Sequence, residues 1–328
     1  MLKRIILVSL FVLILGLSLA YLNLSHYMDT KSNNNQTVNL IIPRGYSIKQ
    51  IGKELVKLDL ISYPKVFWLA HRMFFQDLSL QAGEYEIPPY TSIREILNMM
   101  HEGKVVIHKL TLPEAITTKE IITKIKNEKM LIGEITKEFN EGDFIADTYY
   151  YTYGESKMMF LNRVYKKSQI LLDELWAKRL PNLPLANKQE AVILASIVEK
   201  ETGLASERRR IAGVFINRLN KKMRLQADPT VIYALTQGQY LFNRSITLTD
   251  LKIKSLYNTY LYPGLPPTAI GNPGVAAIEA VLNPLPTTEL YFVADGKGGH
   301  NFSSNLKDHN QHVSNYRKTK KEENNNAQ

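Results

Sequence analysis

The chain has 328 residues, 45% of them hydrophobic, enough for two domains of ordinary size or one large domain with an appendage. Its formal net charge of +10 suits an anionic neighbour such as nucleic acid, membrane headgroups or an acidic polymer, but no arginine-rich groove or nucleic-acid motif accompanies it, so no nucleic-acid partner is expected. Cysteine is absent, which excludes disulfides, a cysteine nucleophile, thiolate metal sites and lipid attachment at an N-terminal cysteine.

"MLKR" opens the chain, and Ile5 to Leu22 is apolar apart from two serines and a glycine. Eighteen helical residues span about 27 Å, just enough for a bilayer core. Lys3 and Arg4 precede the run, so the positive-inside rule keeps the N-terminus cytoplasmic and exports the rest. Ser18-Leu19-Ala20 resembles a signal-peptide cleavage site, but the apolar run continues through Tyr21, Leu22 and Leu24. We therefore expect an uncleaved single-pass anchor, with residues 1–24 as cytoplasmic tip and transmembrane segment. The polar, Asn-rich residues 25–37 read as a flexible linker.

Residues 38–105 read as a small α+β domain. Val38 to Ile42 is a β-branched strand, Pro43-Arg44-Gly45 a turn, and Ser47 caps a helix with apolar positions Ile48, Ile51, Leu55 and Leu58. A second helix is expected around Pro64 to Phe75, a strand within Leu80 to Pro88, and a helix in "SIREILNMMHEG". This strand–helix–helix–strand order resembles LysM-type domains, which bind glycans containing N-acetylglucosamine; any small α+β unit with a glycine turn gives the same pattern.

Residues 106–318 read as a larger, mostly helical domain. It begins with a strand and a Thr-capped helix in "VVIHKLTLPEAITTKEIITKI". Long helices are expected at Ser156 to Leu180, Lys188 to Thr202 and Ser206 to Met223. A hairpin is expected from Leu290 to Ala294 and His300 to Ser303 across a glycine-rich turn. Residues 319–328 read as a disordered tail. The expected fold class is thus α+β, with an N-terminal transmembrane helix, a LysM-like domain and a helical domain carrying a β-hairpin.

"ASIVEKETG" places two glutamates two residues apart. Asn187 is a good N-cap with Glu190 at the capping-box position, and Gly203 stands where a left-handed C-terminal residue is wanted. At about 100° per residue, Leu194, Ile197 and Val198 lie within roughly 60° of Glu201, whereas Glu199 lies roughly 160° from Glu201. Glu201 therefore falls on the apolar stripe and Glu199 on the more polar side. Burial and the negative end of the helix dipole both disfavour the ionised form of Glu201, as a general acid requires. The alternative is a carboxyl at the core rim, hydrogen-bonded to backbone or arginine.

"SIVEKETG", "RLQADPTVIYAL", "YNTYLYPGLPP" and "YFVADGKGGHNFSSN" follow in order. With these blocks the chain resembles the endolytic murein transglycosylases of the YceG/MltG-like family over residues 38–315. The resemblance implies an enzyme of the inner membrane with its catalytic domain in the periplasm. Its substrate would be peptidoglycan glycan strands, with penicillin-binding protein synthases as candidate partners. It implies cleavage of the β-1,4 bond from N-acetylmuramic acid to N-acetylglucosamine without water, leaving a 1,6-anhydro ring, with Glu201 as the catalytic carboxyl. Arg218, Gln226, Asp228, Tyr257, Asn258, Thr259 and His300 are candidate substrate-binding residues. Asp228 before Pro229 also reads as a helix N-cap, Arg218 as a structural ion pair, and His300 as a surface residue on an exposed turn. No His or carboxylate cluster has metal-ligand spacing, so neither metal nor cofactor is expected. A non-catalytic tether for synthases and a hydrolytic muramidase using Glu201 with Asp228 are the competing readings.

Overall fold

A computed structural model describes the backbone of residues 1–326 and the side chains of residues 1–320. Two units emerge. One comprises residues 1–109 with 129–132 and 150–156, and the other the remainder. Two later segments of the chain thus return to the first unit.

The first unit starts with α1 (Leu2–Asp29), a helix long and apolar enough to cross a membrane. It continues past the expected anchor, and its final turn is not a free tether. Leu24 and Met28 are buried in the core of this unit, and Arg94 clasps Asp29 at 2.6 Å. Residues 31–34 are held as well: Lys31 bridges Ser92, Ser32 N–H donates to the Thr91 carbonyl, and the Asn34 amide donates to the Pro88 carbonyl. The flexible linker expected at 25–37 is therefore largely structured.

The rest of the unit runs β1 (Val38–Ile42), α2 (Ile48–Lys57), α3 (Pro64–Phe74), β2 (Gly83–Ile87) and α4 (Ile93–Glu102). Strands β1 and β2 pair antiparallel with Leu40 opposite Tyr85 and Ile42 opposite Gly83. Leu40, Ile42, Tyr85 and Ile87 face inward onto Leu55, Phe67, Ile96 and Met100. Ser47 and Ser92 each form a full capping box, with Gln50 and Glu95 answering from the third helical position. A Cβ at Gly83 would overlap a methyl of Val105, which would have to move to admit it.

Next come β3 (Ile107–Thr111), which pairs with β4 (Thr148–Thr152), and α5 (Thr118–Lys126), whose cap Thr117 forms a third capping box. The second unit is then built by α6 (Lys157–Ala177), α7 (Lys188–Glu201), α8 (Ala205–Asn220), α9 (Asp228–Thr236) and α10 (Val275–Leu282). Helix α7 is its centre: α6, α8, α9 and α10 all pack against it, and Ala191, Val192 and Leu194 to Glu199 are buried. A helix buried on all sides needs no polar face. The hairpin β5 (Tyr291–Ala294)–β6 (His300–Ser303) lays Phe292 edge-on to Phe215 of α8 at 5.7 Å. Helix α11 (Leu306–Asn326) packs on the hairpin, stacking His309 on Tyr291 at 5.1 Å. It covers residues 319–326, where a disordered tail was expected; residues 327 and 328 lie outside the described residues.

Three local expectations at the ends of α7 and α9 are corrected. Asn187 accepts from the Glu190 N–H, but the Glu190 carboxylate turns to the Ala186 N–H, so the capping box is half formed. Helix α7 ends at Thr202 in an extended conformation, and Gly203 is not left-handed. The N-cap of α9 is Ala227, with Asp228 as its first helical residue; this frees the Asp228 side chain from capping.

Candidate active site

Glu201 is the last residue of α7, half-buried where the helix meets the segment 225–230. Burial is the main cause pushing its carboxyl up to about 8; the Asp228 charge adds to the shift and Arg218 opposes it. Among the described residues no hydrogen bond ties this carboxyl down.

Each neighbour of Glu201 is positioned by a fully engaged scaffold. Gln226 takes a left-handed conformation (φ 50°) and its N–H donates to the Thr259 carbonyl at 3.1 Å. The Ala227 N–H donates to the Thr259 hydroxyl at 3.0 Å, and that hydroxyl meets the Thr230 hydroxyl at 2.8 Å. Asn258 is fully buried: its amide donates to the Leu251 and Ile253 carbonyls at 3.0 and 2.9 Å, and its oxygen accepts from the Tyr260 N–H at 3.0 Å. These bonds stitch the Q-A-D-P-T segment to the Y-N-T-Y segment. They bring the Tyr260 hydroxyl to donate to Asp228 Oδ1 at 2.5 Å. Burial, then the bond to Asp228, then the charges of Asp228 and Glu201 raise the Tyr260 phenol far above its usual range, so it stays a donor.

Arg218, near the end of α8, is buried. Its Nε donates to the Leu290 carbonyl at 2.6 Å and its Nη1 to the Leu225 carbonyl at 2.7 Å, with the guanidinium 5.3 Å from the Tyr291 ring centre. It fastens the hairpin to the segment before Gln226 while leaving positive charge within reach of Glu201. Burial lowers its pKa, but a guanidinium remains protonated.

The structure thus gathers Glu201, Asp228, Arg218 and Tyr260 into one electrostatic cluster. Gln226 stands exposed beside it. Asn258 and Thr259, expected to touch substrate, are instead buried with their side chains bonded within the protein; they shape the site. Tyr257 donates to or accepts from the Thr268 hydroxyl at 2.7 Å and packs on Tyr233, one wall of an 840 Å³ cleft lined also by Lys200, Pro229 and Tyr240. His300 bonds through Nδ1 to Glu207 at 2.6 Å, and its backbone N–H reaches the same carboxylate, so its partner lies outside the Glu201 cluster. Tyr260 is not among the residues singled out from sequence. Its only signal was its place in the same Y-N-T-Y block as Tyr257.

Glu199 is the second surprise. Its side chain is only 2% exposed, against the expectation of a polar face. One oxygen accepts from Arg208 Nη2 at 3.1 Å and the other from the Gly274 N–H at 2.9 Å, at the start of α10. Burial, followed by the nearby Glu114 charge, outweighs the Gly274 bond and Arg208 and raises its pKa. Because α7 is enclosed on every side, angular position could not separate a solvated face from a second buried one. Among the described residues no group of three His, Asp or Glu side chains converges as a metal site would need.

The profile of the YceG-like family matches residues 40–315. An endolytic murein transglycosylase of Bacillus subtilis is 29% identical over 326 residues, covering 89% of this chain and 88% of the relative. One of Streptococcus pneumoniae strain R6 is 27% identical over 332 residues, covering 88% of this chain but 60% of the longer relative. The crystal structure of a YceG-like protein from Listeria monocytogenes is 30% identical, with a TM-score of 0.53, covering 85% of this chain and 99% of that one.

Proposed function

The chain belongs to the YceG-like family, and from that membership we propose that it is a peptidoglycan lytic transglycosylase with Glu201 as its general acid and base. The observation that carries the reading is an unpaired, half-buried carboxyl with a pKa of about 8, which holds its proton at neutral pH. Glu201 protonates the glycosidic oxygen as the bond from C1 of N-acetylmuramic acid to O4 of N-acetylglucosamine breaks. The resulting carboxylate then takes the proton of the muramyl 6-hydroxyl as that oxygen bonds to C1. No water enters, the 1,6-anhydro ring closes, and Glu201 ends protonated again. The nucleophile belongs to the substrate, so a second carboxyl is not required, and intramolecular attack gains from proximity.

Arg218 and the Asp228–Tyr260 pair set the field at Glu201, and Gln226 offers an exposed amide to the sugar. Helix α1 anchors the enzyme in the inner membrane with the remainder in the periplasm, where nascent glycan strands and their penicillin-binding protein synthases lie. The first unit, in this reading, is a LysM-like domain that contacts glycan without taking part in bond cleavage. Asp228 beside Glu201 favours one rival, a hydrolytic muramidase in which Asp228 activates water.

Mass spectrometry of purified peptidoglycan digested by the full chain separates these readings. Ends lighter by one water support the transglycosylase, full-mass reducing ends support the muramidase, and unchanged strands support a non-catalytic tether.

A further inference from the structure

Helix α3 runs beside the end of α1 in the opposite direction. Phe74, at the C-terminus of α3, packs on Tyr21 with ring centres 5.2 Å apart, and Tyr63, its N-cap, packs on Tyr27 at 6.5 Å. Tyr21 lies within the apolar run Ile5–Leu22, so if that run spans a bilayer, Phe74 sits at the bilayer boundary. Tyr27 lies six residues further along α1, about 9 Å above Tyr21, so α3 climbs obliquely out of the boundary layer over its length.

One face of α3 is core: Phe67 and Ala70 are buried. The other is a stripe of Lys65, Trp68, Leu69, Arg72 and Met73, recurring at helical spacing and facing solvent. Trp68, Leu69 and Met73 are 36%, 42% and 48% exposed. Two cations flank the indole: Lys49 Nζ of α2 lies 5.8 Å and the Arg72 guanidinium 5.7 Å from its ring centre. The stripe carries no acidic residue. Apolar side chains with an indole between cations, at the level where an apolar helix ends, match the chemistry of an anionic headgroup layer.

We propose that α3 is a membrane-surface helix. Met73, Leu69 and Trp68 enter the headgroup boundary of the bilayer crossed by α1, and Lys49, Lys65 and Arg72 meet the phosphates of anionic phospholipid. The proposal rests on the reading of α1 as a transmembrane anchor. The small unit is then fastened to the membrane twice, through α1 and through α3, and does not swing on its anchor.

The sequence contains two tryptophans, Trp68 and Trp176, which allows a direct test. The full chain carrying Trp176→Phe is placed in nanodiscs containing phosphatidylglycerol, with or without acyl chains brominated near the headgroup. Bromolipid should lower Trp68 emission roughly twofold, as for a ring held about 5–10 Å into the headgroup and acyl boundary. Lys49→Glu with Arg72→Glu should relieve the quenching. If Trp176→Phe folds poorly, the difference between the wild-type chain and Trp68→Phe reports the same quantity. A chain that enters the discs with Trp68 unquenched overturns the proposal and leaves the anchor intact. A chain that fails to enter the discs overturns both. Trp68 emission that answers to soluble glycan oligomers and not to bromolipid overturns it in favour of a sugar-stacking face.

Discussion

Glu199 and Glu201 share the last turn of one helix, both are shifted upward by burial, and they differ in what holds them. The Glu199 carboxylate is spent on both oxygens, on Arg208 and on the start of α10. Glu201 has neighbours that set its charge but, among the described residues, no hydrogen-bond partner. A raised pKa alone does not separate the two; what distinguishes Glu201 is a raised pKa without a hydrogen-bond partner among the described residues. The same enclosure of α7 desolvates both carboxyls.

The sharpest separation is expected from Glu201→Gln. It should keep the fold and lose activity by at least the 10²- to 10⁴-fold typical of acid/base assistance, because no second carboxyl takes over the proton. The same variant should be more stable than wild type at neutral pH. An unfolded glutamate ionises near the ordinary value of 4.5, whereas native Glu201 holds its proton to about 8. Between those values the native state binds more protons than the unfolded state, so this group's contribution is full below about 4.5, falls as pH rises and is lost by about 8. Thermal melts of both proteins at pH 4.5 and 7.5 should converge at the lower value and part at the higher. Wild-type rates of anhydro-end formation by Glu201→Gln would remove Glu201 from the mechanism.

Glu199→Ala should fail in a different way. Removing one partner of a buried pair commonly costs about 3–5 kcal/mol, because the other charge is stranded. Glu114, 3.7 Å from Arg208, offsets part of that cost. A fall in melting temperature of roughly 10 °C is expected for a unit of this size. The protein that remains folded should still cleave glycan. A fully stable but inactive Glu199→Ala would exchange the roles of the two carboxyls.

How much of this was legible follows from how local each signal is. The capping boxes at Ser47, Ser92 and Thr117 act within four residues, and the helices start where those residues predict. The strand Val38–Ile42 and the hairpin around Gly296–Gly299 are written in the same short-range code. The desolvation of Glu201 was legible from its place on an apolar stripe, and the four-part cluster that includes it only in part. Tyr260 is aimed by a local bond to Asn258 and by the bond from Ala227 to Thr259, a contact across about thirty residues that no periodicity records. Helix α10 is eight residues of almost unbroken apolar character, too short for a helical pattern to stand out from a buried strand. Helix α11 is strongly polar and is held by stacking on the hairpin, so its stability lies in tertiary contacts. The polar segment at 25–37 looked like a linker for the same reason: its order comes from Arg94, Thr91 and Pro88, more than fifty residues away.

The smallest effects divide the field at Glu201 into its parts. Asp228→Asn removes the charge but keeps an oxygen for the Tyr260 hydroxyl, so the loop geometry should survive. The alkaline limb of kcat/KM, which reports the protonated acid of the free enzyme, should lie near pH 8 in wild type and move down in this variant. It should remain above the ordinary carboxyl value, because burial is the largest cause of the shift and exceeds the opposing pull of Arg218. Tyr260→Phe does the reverse, leaving the charge and removing the bond that holds it. Its limb should stay near pH 8 while turnover falls about fivefold, the scale of one net hydrogen bond of about 1 kcal/mol. An Asp228→Asn protein with an unmoved limb would show that Asp228 does not act through charge. Hydrolytic ends in the wild-type digest that vanish with all turnover in Asp228→Asn would instead assign Asp228 the role of base in a two-carboxyl hydrolysis.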